Sequence, residues 1–219
     1  MPAAIWGERH EPSLSATIRL TLSKEGCLFR LRKPSEQDVR SFISQQQHSA
    51  FSYPEVGASA NDVPNRYNVD RNRVLLGAGE ATWHKARDAV RGWQMFNMLW
   101  LRLYWPITPI EIGATVAIAV GHFGFHSLNA ARIVYVVDDD GPICRYGFAY
   151  GTLTEHAESG EERFTVEWDR SEGSVWYAVL AFSRPQKALA KLGYPISRML
   201  QRRFAEASKA AMVAAASCK

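Results

Sequence analysis

Cysteine is scarce in this chain of 219 residues, and neither charge sign dominates. The three cysteines, Cys27, Cys144 and Cys218, are odd in number and show no CxxC spacing. This pattern argues against a disulfide framework or a structural zinc site and favours a reducing compartment. With 26 basic and 22 acidic side chains, the formal net charge is only +4. That charge is too small to indicate a nucleic-acid partner without a concentrated basic patch.

Long apolar runs are also missing. The start of the chain lacks the apolar stretch of a signal peptide. The longest nearly apolar run, GATVAIAVGHFGF at 113–125, is too short and too rich in glycine to span a bilayer. We therefore expect a soluble cytoplasmic protein with no transmembrane segment. Hydrophobic residues make up 47% of the chain, enough to bury a core. We expect a loose leader at 1–15 and a single α+β domain at 16–219.

Periodicity predicts two helices before the main sheet. Ser35 is the expected N-cap of SEQDVRSFISQQQ, with Asp38 three positions on as a partial capping box. The second helix, EATWHKARDAVRGW, carries an apolar stripe at helical spacing, made of Trp83, Ala86, Val90 and Trp93. Between the two helices, residues 49–71 show little periodicity and read as a long loop. Loops of this length in a compact domain are often functional or mobile.

Alternating segments with short joins predict an antiparallel sheet. NRVLLGAG and MLWLRLYWP are the first two strands of this series, and five further candidates lie at roughly 114–123, 131–138, 145–153, 162–168 and 174–182. Neighbours should be antiparallel, because parallel pairing needs long crossovers. The chain ends in a helical piece, QKALAKL, and a longer helix from Pro195. Its expected apolar stripe is Ile196, Met199, Leu200, Phe204, Ala207 and Ala211, and its basic run SRMLQRRF is expected on the solvated side.

This order predicts a curved antiparallel sheet of about seven strands wrapped on a long C-terminal helix. That is the helix-grip architecture of START and Bet v 1-like proteins. Blocks such as LRKPSEQD, FSYPEVGAS, RVLLGAGEATWHKARDAV, FAYGTLTEHAESGEERFTVEW and LAKLGYPISRMLQRRFAEAS resemble uncharacterised protein family 0548 of bacteria and plants. The resemblance covers residues 28 to about 213. It implies a single domain, and it supplies no catalytic residues because the family has no established function.

Two predicted strands have one face made of small residues. In the 145–153 strand, Gly147, Ala149 and Gly151 alternate with larger side chains. In the 114–123 strand, Ala117, Ala119 and Gly121 do the same. Such a face admits the close approach of a helix or of a bound molecule. We expect the terminal helix to lie on this side, either packed tightly or leaving room for a ligand.

The loop between the 145–153 and 162–168 strands carries His156 and several glutamates. By alternation, Glu162 belongs to the side of the aromatic residues, where desolvation would raise its pKa. Glu161 belongs to the opposite side, which we expect to be ion-paired and solvated. His156 is placed to hydrogen-bond Glu162 or Glu158, and a histidine beside a carboxylate is the minimal general-base pair, although a structural hairpin is the simpler interpretation. The loop matches no metal-binding pattern, so no metal site is predicted.

The leading hypothesis is a ligand-binding protein that holds a small apolar or amphipathic molecule between the sheet and the C-terminal helix. The expected lining residues are Trp93, Phe148, Tyr150, Thr152, Glu162, Phe164, Trp168, Tyr177 and Phe204. One alternative is a hydrolase or cyclase-like enzyme with His156 and Glu162 as its proton-transfer pair. Another is a protein-interaction module with a filled core, acting through the 49–71 loop or the basic helix. The sequence implies no cofactor and leaves the oligomeric state open.

Overall fold

The structure, a computed structural model, describes residues 29–30, 32–122, 125–156, 158–185 and 194–217. The elements follow in the order β1 (Phe29–Arg30), α1 (Glu36–Gln46), β2 (Asn68–Ala78), α2 (Glu80–Arg91), β3 (Leu101–Tyr104), β4 (Thr115–His122), β5 (Phe125–Asp140), β6 (Ile143–Thr152), β7 (Glu158–Asp169), β8 (Ser174–Pro185) and α3 (Tyr194–Ser217). Short 3₁₀ turns occupy Ala58–Ala60 and Gln94–Phe96. The predicted leader at 1–15 and the predicted helical piece QKALAKL lie outside the described residues.

The eight strands within the described ranges form one antiparallel sheet in the order β2-β8-β7-β6-β5-β4-β3, with β1 paired to the beginning of β5. β2 and β3 are therefore the two edges of the main path. Buried side chains from strands along the whole path, from edge strand β2 to edge strand β3, join buried side chains of α2 and α3 in one core. The sheet is therefore curved around these helices. The predicted antiparallel helix-grip architecture is confirmed.

Several strands are longer than predicted, including β7, which begins at Glu158 rather than near residue 162. β2 begins at Asn68, inside the expected 49–71 loop, and β5 begins at Phe125 rather than near residue 131. In β2 the added residues pair with β8, from Asn68 opposite Ser183 onward. Backbone pairing with a neighbouring strand holds these polar segments extended, and local residue preferences do not reveal that pairing.

Helix α1 begins at the predicted capping box. The Asp38 N–H donates to Ser35 Oγ at 3.2 Å, and the Ser35 N–H donates to the Asp38 carboxylate at 2.9 Å. A cap of this kind stabilises a helix by about 1 kcal/mol. On the face of α1 that contacts the sheet, Val39 is fully buried in a cluster with Ala117 and Leu128. Helix α1 therefore covers the outer, convex face of β4 and β5.

The small-residue faces lie on this outer side rather than beneath the terminal helix. Ala119 of β4 is buried in the cluster that α1 covers. A side chain added at Gly151 of β6 would collide with Phe51 and Tyr53. The expectation that α3 covers the glycine and alanine rows is therefore wrong. Helix α1 and the segment 51–61 occupy that side, because a close approach of bulky residues needs small residues opposite them.

Helices α2 and α3 lie on the concave face. The buried positions of α3 are Ala205, Ser208, Met212 and Ala216, spaced by three or four residues. The predicted stripe is rotated away from this face, and its member Met199 is 50% exposed. Residues 205–216 carry alanine on every side of the helix, so hydrophobic periodicity does not select one face. Among the helices that the structure describes, none is long and apolar enough to cross a membrane.

Candidate functional site

Seven aromatic residues predicted to line a cavity do lie in or against the core of the concave face: Trp93, Phe148, Tyr150, Phe164, Trp168, Tyr177 and Phe204. Five of these rings pack against one another, those of Trp93, Phe148, Tyr150, Phe164 and Phe204, with centroid distances of 4.7 Å for Trp93 and Phe148 and 5.5 Å for Phe148 and Phe164. Phe96, which the sequence analysis missed, contacts Phe164 and Phe204 at 5.4 and 5.5 Å. This aromatic half of the face is therefore filled largely by the protein's own rings.

Two of these aromatic residues also bind the helices directly. The Trp168 ring stacks on Trp83 of α2 with a centroid distance of 6.3 Å. The Tyr177 hydroxyl lies 2.7 Å from Ser208 Oγ of α3, so a hydrogen bond joins the sheet to the terminal helix. Both contacts fix the positions of helices on the sheet, which is a structural role.

Thr152 was expected to be a polar contact for a ligand. Its hydroxyl donates to the Gly160 carbonyl at 3.0 Å and accepts the Gly160 N–H at 2.9 Å. Ser52 Oγ lies 2.6 Å from the same hydroxyl. Thr152 is 5% exposed. Its side chain therefore holds the ends of β6 and β7 together with the 51–61 segment.

A row of four residues crosses neighbouring strands beside the aromatic rings, and we name it the polar row. Tyr150 of β6 pairs with Glu162 of β7, Glu162 with Ala181 of β8, and Ala181 with Asp70 of β2. Direct cross-strand partners share a face, so all four side chains point to the concave side. Glu162, Ala181 and Asp70 are only partly buried, although β7 and β8 are interior strands. The small Ala181 side chain therefore leaves a recess between two carboxylates.

Glu162 is the central acid of the polar row. The Tyr150 hydroxyl donates to Glu162 Oε2 at 2.7 Å. Burial raises the pKa of Glu162 to about 7; the Tyr150 hydrogen bond opposes this change, and the nearby Asp70 charge adds to it. Burial and the Glu162 charge in turn raise the pKa of Tyr150. Glu162 therefore gains and loses its proton near neutral pH, as expected for a desolvated carboxyl on the aromatic side.

The first half of α3 lies over the recess and is tied to two strands. Arg198 forms a bidentate ion pair with Asp70 at 2.6 and 2.7 Å. Arg198 also donates to Gln201 Oε1 at 2.6 Å, and Gln201 donates to Ser183 Oγ at 2.9 Å. These bonds connect α3 to β2 and β8. Arg198 forms its ion pair with Asp70, and among the described residues no ion pair joins Glu162 to a cation.

His156 and Glu162 are not brought together. His156 Nδ1 accepts the Glu158 N–H at 3.0 Å, and no hydrogen bond between described residues joins His156 to Glu162. Glu158 and Glu162 are four residues apart on an extended strand, which corresponds to about 13 Å. Burial lowers the pKa of His156 to about 4, so its ring is neutral at neutral pH. The geometry offers Tyr150, rather than His156, as the immediate partner of Glu162.

Glu161 points to the outer face and is buried, with 2% of its surface exposed. Its carboxylate accepts hydrogen bonds from the Tyr53 hydroxyl at 2.6 Å, the Gly57 N–H at 2.7 Å and the Ser59 N–H at 3.0 Å. The Ser59 hydroxyl donates to it as well. The expectation of a solvated face is wrong at Glu161, because the segment 51–61 folds back over β7. The first part of the predicted 49–71 loop is thus an anchored cover of the outer face.

Metal-binding side chains do not cluster in the described ranges, where no group of three or more His, Cys, Asp or Glu residues is arranged to hold an ion. Cys27 and Cys218 lie outside those ranges. Cys144 is buried, and burial together with a hydrogen bond to Asp140 raises the pKa of its thiol. A thiol with a raised pKa is a poor nucleophile.

Comparison with known sequences places the chain in a family. The domain of unknown function DUF1990 matches residues 52–211. The chain belongs to the DUF1990 family. It is 38% identical over 202 residues to a UPF0548 protein of Deinococcus radiodurans, covering 87% of this chain and 100% of that protein. It is 35% identical over 196 residues to a UPF0548 protein of Dictyostelium discoideum, covering 81% and 90%. The resemblance to uncharacterised protein family 0548 is confirmed.

Among solved structures, a hypothetical protein from Helicobacter pylori is similar to this DUF1990 chain with a TM-score of 0.49 and 15% sequence identity. The match covers 75% of this chain and 95% of that protein.

The site in this DUF1990 chain includes residues that the sequence analysis missed: Asp70, Ser183, Arg198 and Gln201. Asp70 fell inside the predicted loop, and Arg198 was expected on the solvated side of its helix. Polar residues at every second position, Asn68, Asp70 and Asn72, are the signal that could have indicated a strand with one polar face. The partner of Asp70 lies 128 residues away, so only the tertiary structure identifies it.

Proposed function

We propose that this chain binds a small amphipathic molecule in the recess between the polar row and α3. The observation that carries the proposal is the partial accessibility of Ala181 and Glu162, which lie on interior strands beside fully buried aromatic rings. Protein interiors are close-packed, so an alanine inside a sheet keeps accessible surface only where the space above it is unfilled. Ligand sites combine apolar walls with a few placed polar groups, and this recess has both.

The recess favours one orientation of the ligand. Its apolar part would lie against Phe164 and Phe204, where burial contributes about 25 cal/mol per Å². Its polar end would reach Glu162, to which the Tyr150 hydroxyl is the one hydrogen-bond donor among the described residues. A ligand hydroxyl or amine would add a second donor to that carboxyl. Hydrogen bonds donated to a charged or partly charged acceptor are stronger than those between neutral groups, so this contact would select ligands that carry a donor.

The substitution Ala181→Leu is expected to weaken ligand binding by about tenfold or more, because the added carbons occupy the recess. Two measurements check this: native mass spectrometry of small molecules retained by the protein as purified from cells, and fluorescence titration with the amphipathic probe N-phenyl-naphthylamine. The Ala181→Leu variant should retain less of the co-purified small molecule and should bind the probe more weakly than the wild type does.

Ala178→Leu is the matched control. Ala178 lies three residues earlier on β8 and therefore on the outer face, where it is also partly exposed. The Ala178→Leu variant should bind the probe as the wild type does. Equal binding by wild type and Ala181→Leu, with both folded, would contradict the proposed site.

An acid–base role for Glu162 is a second candidate function, favoured by its pKa of about 7 and its hydrogen bond to Tyr150. The two functions separate in one experiment. If Glu162 transfers protons, Glu162→Gln will retain a molecule whose mass or structure differs from the one retained by the wild type. If the protein only binds, both proteins will retain the same molecule.

A further inference from the structure

Large apolar side chains project into solvent at one edge of the sheet. Of the large hydrophobic residues that the described ranges expose, three lie within residues 99–112: Leu99 is 107% exposed, Ile107 84% and Ile112 72%. They flank β3, the edge strand next to β4. Single exposed apolar residues are ordinary, but a group of three this exposed around one short strand marks an interaction surface.

Arginine residues stack on aromatic rings around the same strand. The guanidinium of Arg203 of α3 lies 4.8 Å from the centroid of the Trp100 ring. On the opposite layer, the Arg40 guanidinium of α1 lies 4.7 Å from the Trp105 ring. All of these side chains keep accessible surface. The edge therefore presents two tryptophans, each with a cation on its face.

A third arginine lies between Trp100 and Trp105 in the sequence. Arg102 of β3 is exposed, and its guanidinium lies 4.8 Å from the Tyr104 ring. Glu111 is the only acidic residue in positions 97–113. Together, Leu99, Trp100, Arg102, Trp105, Ile107 and Ile112 form what we name the β3-edge surface. Arg40 and Arg203 bring two further guanidinium groups to the rings of this surface, beside Arg102 and Glu111 of its own segment.

We propose that the β3-edge surface docks on an anionic lipid bilayer. Exposed aliphatic tips insert below the headgroups, tryptophan rings prefer the interfacial depth, and arginines bind lipid phosphates. The three tips stand on two loops, Leu99 before β3 and Ile107 and Ile112 after it, so they reach a soft apolar phase more readily than one rigid pocket. Pairing with the edge of a second copy is poorly supported, because β3 has only four residues and Pro106 follows shortly after it.

The proposal is independent of the ligand in the recess and is tested without it. Purified protein is mixed with phosphatidylcholine vesicles, with or without roughly one-third phosphatidylserine, and the bound fraction is measured by flotation. The wild type should bind the anionic vesicles and leave the neutral ones. The double variant L99E/I107E should bind at least about tenfold less, because it loses two insertion points and gains repulsion. Arg102→Gln should bind about fivefold less, the effect of one cation near the surface.

Leu75→Glu is the matched control. Leu75 is 49% exposed on β2, at the opposite edge of the sheet, and its substitution should leave binding unchanged. Because Leu99 and Ile107 make little contact with the core, L99E/I107E should keep the wild-type thermal midpoint. The proposal would be overturned if the wild type failed to float with anionic vesicles. It would also be overturned if L99E/I107E and Leu75→Glu lost vesicle binding to the same extent. A concentration-dependent dimer that L99E/I107E abolishes would overturn it as well, since the surface would then belong to a second copy.

Discussion

Replacing Glu161 by alanine is expected to lower the free energy of unfolding by about 3–6 kcal/mol. The buried carboxylate accepts hydrogen bonds from Tyr53, Gly57 and Ser59, and alanine offers none of these donors an acceptor. Each buried donor left without a partner costs about 1–3 kcal/mol. Domains of this kind have a total stability of about 5–15 kcal/mol, so this variant approaches the limit of folding.

Urea denaturation followed by tryptophan fluorescence measures this loss. Hydrogen exchange should also increase in the segment 51–61, because that segment loses its anchor on β7. If Glu161→Ala does not fold, Tyr53→Phe provides a milder test. It removes one donor and retains the ring, whose centroid lies 5.7 Å from that of Phe182. Tyr53→Phe should lower the stability by about 1–2 kcal/mol.

Glu167→Ala is the control for the anchoring role of Glu161. Glu167 lies on the same strand and face but keeps a quarter of its side chain exposed, with ion pairs to Arg73 at 3.4 Å and Arg145 at 3.5 Å. Exposed pairs of this kind contribute at most about 1 kcal/mol. If the two alanine variants lost the same stability, Glu161 would be an ordinary surface charge and the anchoring role would be wrong.

At pH 8, Glu162→Gln is expected to be about 2–3 kcal/mol more stable than the wild type. The fold raises the pKa of Glu162 from its ordinary value of 4.5 to about 7, mainly through burial. At pH 8 the wild type must therefore fold with an ionised carboxylate in a desolvated position. Glutamine stays neutral, and its amide oxygen can accept the Tyr150 hydroxyl. Groups that lower stability in this way are typical of functional sites.

The sign of this pH dependence follows from proton binding. Between pH 4.5 and 7 the folded state binds more protons at Glu162 than the unfolded state, so the wild type loses stability as the pH rises. His156 acts in the opposite direction, because its pKa falls from 6.5 to about 4 on folding. The free energy of unfolding therefore increases, as far as His156 is concerned, as the pH rises from about 4 to 6.5. The two groups partly cancel in the wild type, and the difference between wild type and Glu162→Gln isolates Glu162.

Denaturation of both proteins at about pH 4.5, 6 and 8 measures that difference. The two proteins should have similar stability at the lowest pH, and the variant should gain steadily above it. Glu206→Gln is the control, since the one ion pair of this exposed α3 glutamate among the described residues is with Lys209 at 2.8 Å. Its effect should stay within about 0.5 kcal/mol at every pH. A difference for Glu162→Gln that does not change with pH would show that the carboxyl is not desolvated.

Glu161 and Glu162 show how adjacent residues acquire different roles from strand geometry. Successive side chains of a strand point to opposite faces, so one carboxylate meets the segment 51–61 and the other meets the recess under α3. The outer carboxylate is surrounded by donors and anchors the chain. The inner one has a single donor and a raised pKa. Identical chemistry therefore serves stability on one side and, as we propose, ligand binding on the other.

The sequence by itself determined the features that depend on nearby residues. Ser35 and Asp38 indicated the start of α1, the stripe from Trp83 to Val90 indicated α2, and short joins indicated antiparallel strands. Alternation assigned Glu162 to the aromatic side, where the structure places it. These signals are local because capping, helical periodicity and strand alternation involve residues only a few positions apart.

Only the tertiary structure decided which element covers which face. The glycine and alanine rows showed that something approaches closely, but α1 or α3 could satisfy that pattern equally well. The burial of Glu161 depends on a segment about 100 residues away, and the Asp70–Arg198 pair joins residues 128 apart. Such contacts form because packing and desolvation act on residues that the fold brings together. Their energies depend on spatial neighbours, and a local pattern of residues carries no record of those neighbours.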